Sequence, residues 1–311
     1  MTMTKMLPAL AACVLAVPGV HAQSWQAAGV DSFTLRDPAG DLSAPYRTQG
    51  IAVSGDEWIF SWQYGLERTD LAFNSLQRNS SLARPFELGI PKELRRQGLN
   101  HIGDIDVANG VIYASLDSTD GYTNGHVALY SAADLHYLGT ALPLVGAPSN
   151  PHHDVASWVA VDGAAGVGYG KEWQDGNTIN LYNLSDWSFT GTLQMDRTLG
   201  RIQGAKVFNG ALYMSSDNDT KSVYRVDLAS GHVDELFQLP HPAGDLETEG
   251  IAIRALPGGG AEMRVEMIVA PGSVSDYRVD LYRYVLAVPE VPTAPLMAAG
   301  LAALLFVRRR R

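Results

Sequence analysis

The sequence predicts an all-β fold, a five-bladed β-propeller, on three observations. One four-strand grammar recurs five times. Its opening strands follow one another at intervals of about 45 to 55 residues, the period of a propeller blade. The fifth unit is one strand short, while an unpaired strand sits near the start of the chain.

Each unit opens with a small apolar strand, turns at a polar or glycine pair, and returns through an aromatic-rich strand. The first runs through 49–53, Ser54-Gly55, 58–61, 66–71 and 76–82. The second runs through 103–107, Asn109-Gly110, 111–114, 127–131 and 137–144. The third is 157–161, Asp162-Gly163, 167–170, 179–184 and 189–195, and the fourth is 203–207, Asn209-Gly210, 211–214, 223–228 and 233–239. The fifth has 249–253, the glycines 258–260, then 263–270 and 279–286. Asn-Gly and Asp-Gly are hairpin turns because both central residues need positive φ. The spare strand, Ser32-Phe33-Thr34-Leu35-Arg36, completes the fifth blade and closes the ring. Closure removes an edge that would otherwise template aggregation. The alternative is a six-bladed ring, with extra structure inside 84–102. A proline at a helix start, in Pro91-Lys92-Glu93-Leu94-Arg95-Arg96, favours a long loop with a short helix there.

The two ends are addresses rather than fold. Residues 1–22 are a signal peptide: a weakly basic start, an apolar run over 6–20, and Val20-His21-Ala22 before a cut at Gln23. Leu10-Ala11-Ala12-Cys13 resembles a lipoprotein box and ranks second, because few apolar residues precede Cys13 and many follow. At the other end, Val288-Pro289-Glu290-Val291-Pro292 precedes an apolar run over 294–307 and then Arg308, Arg309, Arg310 and Arg311. The run is short for a spanning helix, which wants about 20 residues. The arginines belong on the cytoplasmic side. Residues 288–311 resemble the PEP-CTERM sorting signal of Gram-negative bacteria, with Val291 where that family carries proline. The resemblance implies transient anchoring in the inner membrane through a transmembrane helix. It also implies signal peptidase and exosortase as partners, and a product released to the cell surface or extracellular matrix. The propeller domain is then 23–287.

Cys13 is the single cysteine and leaves with the signal peptide, so no disulfide or thiolate chemistry remains. The formal net charge is −10, and loss of the arginine tail makes the mature chain more acidic still. That excludes general nucleic-acid binding and is compatible with small ligands, cations and neutral polysaccharide.

In a propeller, the loops leading into the inner strands and those leaving the second strands share one face. The ligand-binding candidates there are Gln49, Trp62, His101, His153, Trp173 and Gln203, with Gln63, Tyr64, Asp117, Asp120, Glu172, Arg201, Glu247 and the stretch 216–219 nearby. Exposed indoles stack on sugar faces, whereas blade aromatics also serve as packing; Trp158 reads as packing. Asp104 and Glu249, with Gln49 and Gln203, hold either a calcium ion on the axis or hydrogen bonds to backbone and water. Pro151-His152-His153-Asp154 with His101 makes a poor zinc site, since adjacent strand residues face opposite ways. Asp217-Asn218-Asp219 begins like an EF-hand loop, but Ser222 and Leu228 replace the glycine and glutamate it needs.

Thr48-Gln49-Gly50-Ile51, then 58–61 and Tyr64-Gly65-Leu66-Glu67-Arg68, resemble the first blade of bacterial and plant-type glutaminyl cyclotransferases, which are five-bladed. The acidic second-blade motif of that family has only Asp104 as a loose counterpart here, so the resemblance implies blade number more than activity. Glu249-Gly250-Ile251-Ala252 resembles openings in phytase-like and lactonase-like propellers alike. The expected function is binding of a small polar ligand or a polymer such as polysaccharide at the cell envelope or biofilm matrix. The alternative is a calcium-assisted hydrolase or lactonase, or a cyclotransferase-like enzyme.

Overall fold

The computed structural model describes residues 24–82, 89–146, 156–240, 244–270, 272–273 and 275–286. The signal peptide, Cys13, the sorting signal with Pro289, Glu290 and its arginines, and His152, His153 and Asp154 lie outside the described residues. Among those described, no helix is long and apolar enough to cross a membrane.

Residues 25–286 form five antiparallel four-stranded sheets. Blade 1 is β2 (Gly50–Ser54), β3 (Glu57–Trp62), β4 (Gly65–Asp70) and β5 (Ser75–Arg78). Blade 2 is β6 (His101–Ala108), β7 (Val111–Ser118), β8 (Thr123–Ser131) and β9 (Tyr137–Pro143). Blade 3 is β10 (Ala160–Asp162), β11 (Val167–Gly170), β12 (Gly176–Asn183) and β13 (Phe189–Leu199). Blade 4 is β14 (Ile202–Phe208), β15 (Ala211–Ser216), β16 (Ser222–Asp227) and β17 (Val233–Gln238). Blade 5 is β18 (Leu246–Ala255), β19 (Ala261–Val269) and β20 (Arg278–Leu286), with β1 (Trp25–Thr34) as its outer strand. The ring has five blades, and the stretch between blades 1 and 2 carries the short helix α1 (Lys92–Arg95), preceded by Pro91.

Burial explains the strand order. The second strands are buried along nearly their whole length, as in β15 and β19, because both faces meet a neighbouring blade. The outer strands alternate or face water, as β5 and β9 do. Apolar side chains collect between blades rather than in one centre. Ile59 and Leu66 of blade 1 pack on Ile105 and Ile112 of blade 2, and Tyr113 and Val127 meet Val159 and Trp187 of blade 3. Trp158 and Ile179 meet Ala205 and Leu212 of blade 4, and Tyr213 meets Met263 and Val265 of blade 5. Ile51 and Trp58 close the circuit against Ala252 and Leu281. A side chain sandwiched between two sheets loses nearly all its water contact, about 1.5–3 kcal/mol for a large aliphatic residue.

Two expectations shift in detail. The closing strand begins earlier than 32–36: Trp25 pairs with Leu286 and Thr34 with Arg278, with a bulge between Ala27 and Gly29. The longer ladder covers the whole of β20, and Trp25 reaches Tyr213 edge-on at 5.8 Å. The Asn109-Gly110 and Asn209-Gly210 turns have positive φ at both residues, as expected. The turn at Asp162 does not use Gly163 that way. Asp162 instead accepts the backbone N–H groups of Ala164 and Ala165, and Gly166 takes the positive φ.

Candidate ligand-binding funnel

At the axis the five inner strands come so close that backbone meets backbone. A Cβ on Gly250 would lie 2.5 Å from the Cα of Gly50, and one on Gly204 would lie 2.8 Å from the Cα of Gly250. No Cβ fits at those positions, which is why three blades place glycine at this point. Blade 2 places Asp104 instead, and its carboxylate fills the axis. Oδ1 accepts the Ile51 N–H at 3.3 Å, and Oδ2 accepts the Ala205 N–H at 3.0 Å and the Lys206 ammonium at 2.7 Å. One carboxylate thus ties blades 1, 2 and 4 together.

Asp104 is therefore not laid out as a calcium ligand: the cation on the axis is the protein's own Lys206. Among the described residues, no group of three or more His, Cys, Asp or Glu side chains gathers as a metal site. Asp106, also beside Lys206, accepts the Val161 N–H at 2.9 Å and links blade 2 to blade 3.

A second ring lies at the next position along the second strands. Ser61 donates to the Gly103 carbonyl at 2.7 Å, and Ser215 donates to the Glu249 carbonyl at 2.6 Å, each bridging to the following blade. Ser115 donates to the Asp104 carbonyl at 2.8 Å. By strand register, Lys171 holds this position in blade 3 and Glu266 in blade 5. Lys171 donates to the carbonyls of Glu172 at 2.9 Å and Gln174 at 2.7 Å, which shapes the loop carrying Trp173. Burial lowers its ammonium to about 8.

Above these rings opens a cavity of about 490 Å³. Blade 1 supplies Gln49 and Gln63, and blade 2 supplies His101, Thr119, Gly121 and Tyr122. Blade 3 supplies Ser157, Trp173 and Gln174, blade 4 Gln203, and blade 5 Glu247 and Glu249. Gln49, His101, Trp173, Gln203 and Glu249 thus converge at one mouth. His101 bridges two blades: Nδ1 lies 2.8 Å from Oδ1 of Asp117, and Nε2 lies 2.8 Å from Oε1 of Gln49. Burial pushes the Asp117 carboxyl up, and the hydrogen bond from His101 opposes that push. Tyr122 meets the His101 ring edge-on at 5.8 Å. Arg201 sits 5.2 Å over the Trp173 ring and pairs with Asp217. Asp217 also holds Lys221 and accepts the Thr248 N–H at 2.9 Å, so it is a tie between blades 4 and 5.

Trp62 is a correction. It is 3% exposed, donates from Nε1 to Ser80 Oγ at 3.0 Å, and edges against Tyr46 and Tyr64. It is packing, not a sugar platform. Trp158 is fully buried packing, as expected. Thr119, Tyr122, Ser157 and Gln174 also line the mouth, and Tyr122 lies just beyond Asp120 in the same loop.

The floor is acidic. Burial, then Glu247, Glu266, Asp217 and Asp104, hold the Glu249 carboxyl well above the usual carboxylate range. Burial, then Asp104, does the same for Glu266, with Lys206 opposing. Burial raises Asp104 to about 7 against the pull of Lys206. The folded chain thus keeps protons that the unfolded chain releases near pH 4. Raising the pH through that interval draws the equilibrium toward the unfolded state. We expect the melting temperature to fall from about pH 5 to about pH 8, and Glu266→Gln or Glu249→Gln to flatten the fall. The exposed Asp70, Asp186 and Asp227, whose carboxyls are lowered by local hydrogen bonds, titrate below this window. A flat calorimetric profile across it for the parent chain would contradict this assignment.

Fold and cavity together define a five-bladed propeller with an amide-, aromatic- and acid-lined mouth. No protein-family model matches this chain, and no curated protein matches it. Among solved structures it is similar to a tail fibre of Staphylococcus aureus phage P68, at 14% identity and a TM-score of 0.47. The match covers 83% of this chain and 53% of the fibre, so the chain spans about half the length of that protein.

Proposed function

We propose that this chain is an exported, surface-directed propeller that binds a polar, polyhydroxylated ligand, a sugar unit of an extracellular polysaccharide, in the funnel. The supporting observation is the convergence of four glutamines, Thr119 and Ser157 with Trp173 and Tyr122 around one cavity. Amides offer paired donors and acceptors to hydroxyl groups, and an aromatic face covers the apolar face of a pyranose. Cavities of about 300–1,000 Å³ suit small ligands. The export route rests on 1–22 and on the PEP-CTERM-like segment 288–311, which place such binding at the cell envelope or its matrix.

The calcium-assisted alternative draws no support from the donor set, since Asp104 is engaged by Lys206 and two backbone N–H groups. An acid–base enzyme reading draws on the His101–Asp117 pair. Both ring nitrogens are already engaged there, which favours binding over turnover.

The test is retention of the mature propeller on immobilised polysaccharides. Trp173→Ala and Gln203→Ala should each weaken retention by about tenfold, roughly 1.4 kcal/mol. A parent chain that elutes with the void on every polysaccharide would sink this reading.

A further inference from the structure

The floor of the funnel holds a carboxyl group without a partner. Glu249 is 2% exposed yet lines the cavity, and among the described residues its side chain has neither a hydrogen bond nor an ion pair. Glu247, two residues back on β18, lines the same floor. The cations around them are spent elsewhere: Lys206 on Asp104, and Arg201 and Lys221 on Asp217. No lysine or arginine is among the described residues that line the cavity. A buried carboxyl is normally paired or costs stability. An unpaired one that opens into a cavity is a seat for something that arrives.

We propose that Glu249, assisted by Glu247, receives the free ammonium group of an amino sugar, so that the funnel selects de-N-acetylated hexosamine units over N-acetylated or neutral ones. This rests on the saccharide reading above and names its substrate class. An ammonium carries three donors and matches a carboxylate pair flanked by amide oxygens. Trp173 and Tyr122 add aromatic surface that attracts a cation. A calcium ion takes six to eight oxygens, and among the described residues no group of three or more His, Cys, Asp or Glu side chains gathers as a metal site. Uronates and phosphates would meet no lysine or arginine among the described residues of the lining.

A proton is coupled to the event. The charges of Glu247 on its own strand, Glu266 on β19, Asp217 beyond β15 and Asp104 on β6 act on Glu249, Tyr277 before β20 feels it in turn, and Lys206 on β14, paired with Asp104, opposes the rise at Glu266. Burial, then these neighbours, hold the carboxyl of the empty Glu249 well above the usual carboxylate range and favour its protonated form. An arriving ammonium stabilises the carboxylate, and the proton leaves to solvent. Binding of the amine therefore releases protons, and binding of the N-acetyl form does not.

Titration calorimetry of the mature chain at pH 7 tests this, with glucosamine, N-acetylglucosamine and glucose oligosaccharides and with calcium chloride, in two buffers of different ionisation heat. The glucosamine oligomer should bind at least about tenfold tighter than the others and release protons. Glu249→Gln should abolish both the preference and the release; Glu247→Gln, a second variant should the first fail to fold, should reduce the preference. Equal binding of all three sugars, still weakened by Trp173→Ala, would overturn the amine assignment and leave the saccharide reading standing. Absence of binding to any sugar would overturn both. A calcium heat lost in Glu249→Gln would replace the amine with a metal.

Discussion

Asp104→Ala is expected to cost about 3–5 kcal/mol, the penalty for leaving a buried ammonium without its partner. Asp104 is fully buried and Lys206 is 5% exposed, so water cannot take over the lost contact. The N–H groups of Ile51 and Ala205 lose their acceptor at the same time. For a domain of this size each kcal/mol moves the melting temperature by about 2–4 °C, so calorimetry near pH 8 should show a drop of roughly 6–20 °C. The double variant D104A/K206M should recover part of that loss, because removing both members of a buried pair often costs little. If D104A melts with the parent chain, the axis is not held by this pair.

Removing β1 should have the larger effect still. A chain starting at Leu35 loses the ladder to β20, the Ser32 hydroxyl bond to Asp280 at 2.7 Å, the Asp31 pairing with Arg264, and the Phe33 contacts with Phe60 and Phe73. It also bares a nine-residue edge on β20, and exposed edges recruit other chains. The loss is comparable with the whole stability margin of a domain, about 5–15 kcal/mol. The truncated chain should collect in the insoluble fraction, and a synthetic 24–36 peptide added during refolding should restore soluble monomer. Recovery of soluble, cooperatively melting monomer without the peptide would show that closure is dispensable.

Much of the fold was legible because its causes are local. Alternation along the strands, Asn-Gly turns and the spacing of apolar openings are read over a few residues, and they located nearly every strand of the five blades. The turn at Asp162 was misplaced because an Asp side chain that caps its own loop competes with the two-residue turn. The funnel was partly legible. Gln49, His101, Trp173, Gln203 and Glu249 follow from the rule that loops at one end of every blade share a face. Trp62 follows the same rule and still turns inward, because Tyr46, Tyr64 and Ser80 form a slot for it.

Lys206 breaks the pattern of its strand position. Its counterparts in the other inner strands are Ala52, Asp106, Ala160 and Ala252, so a lysine there is out of pattern, as Asp106 is. The order of residues alone determined five repeating sheets and a spare strand at the front to complete the last, since each depends on neighbours in the chain. Only the closed ring decided that Asp104 would meet an ammonium 102 positions away rather than a metal, and that Glu249 would face open space with no cation of its own. Charges choose partners by distance and by exclusion of water, and both quantities exist only once the blades are packed.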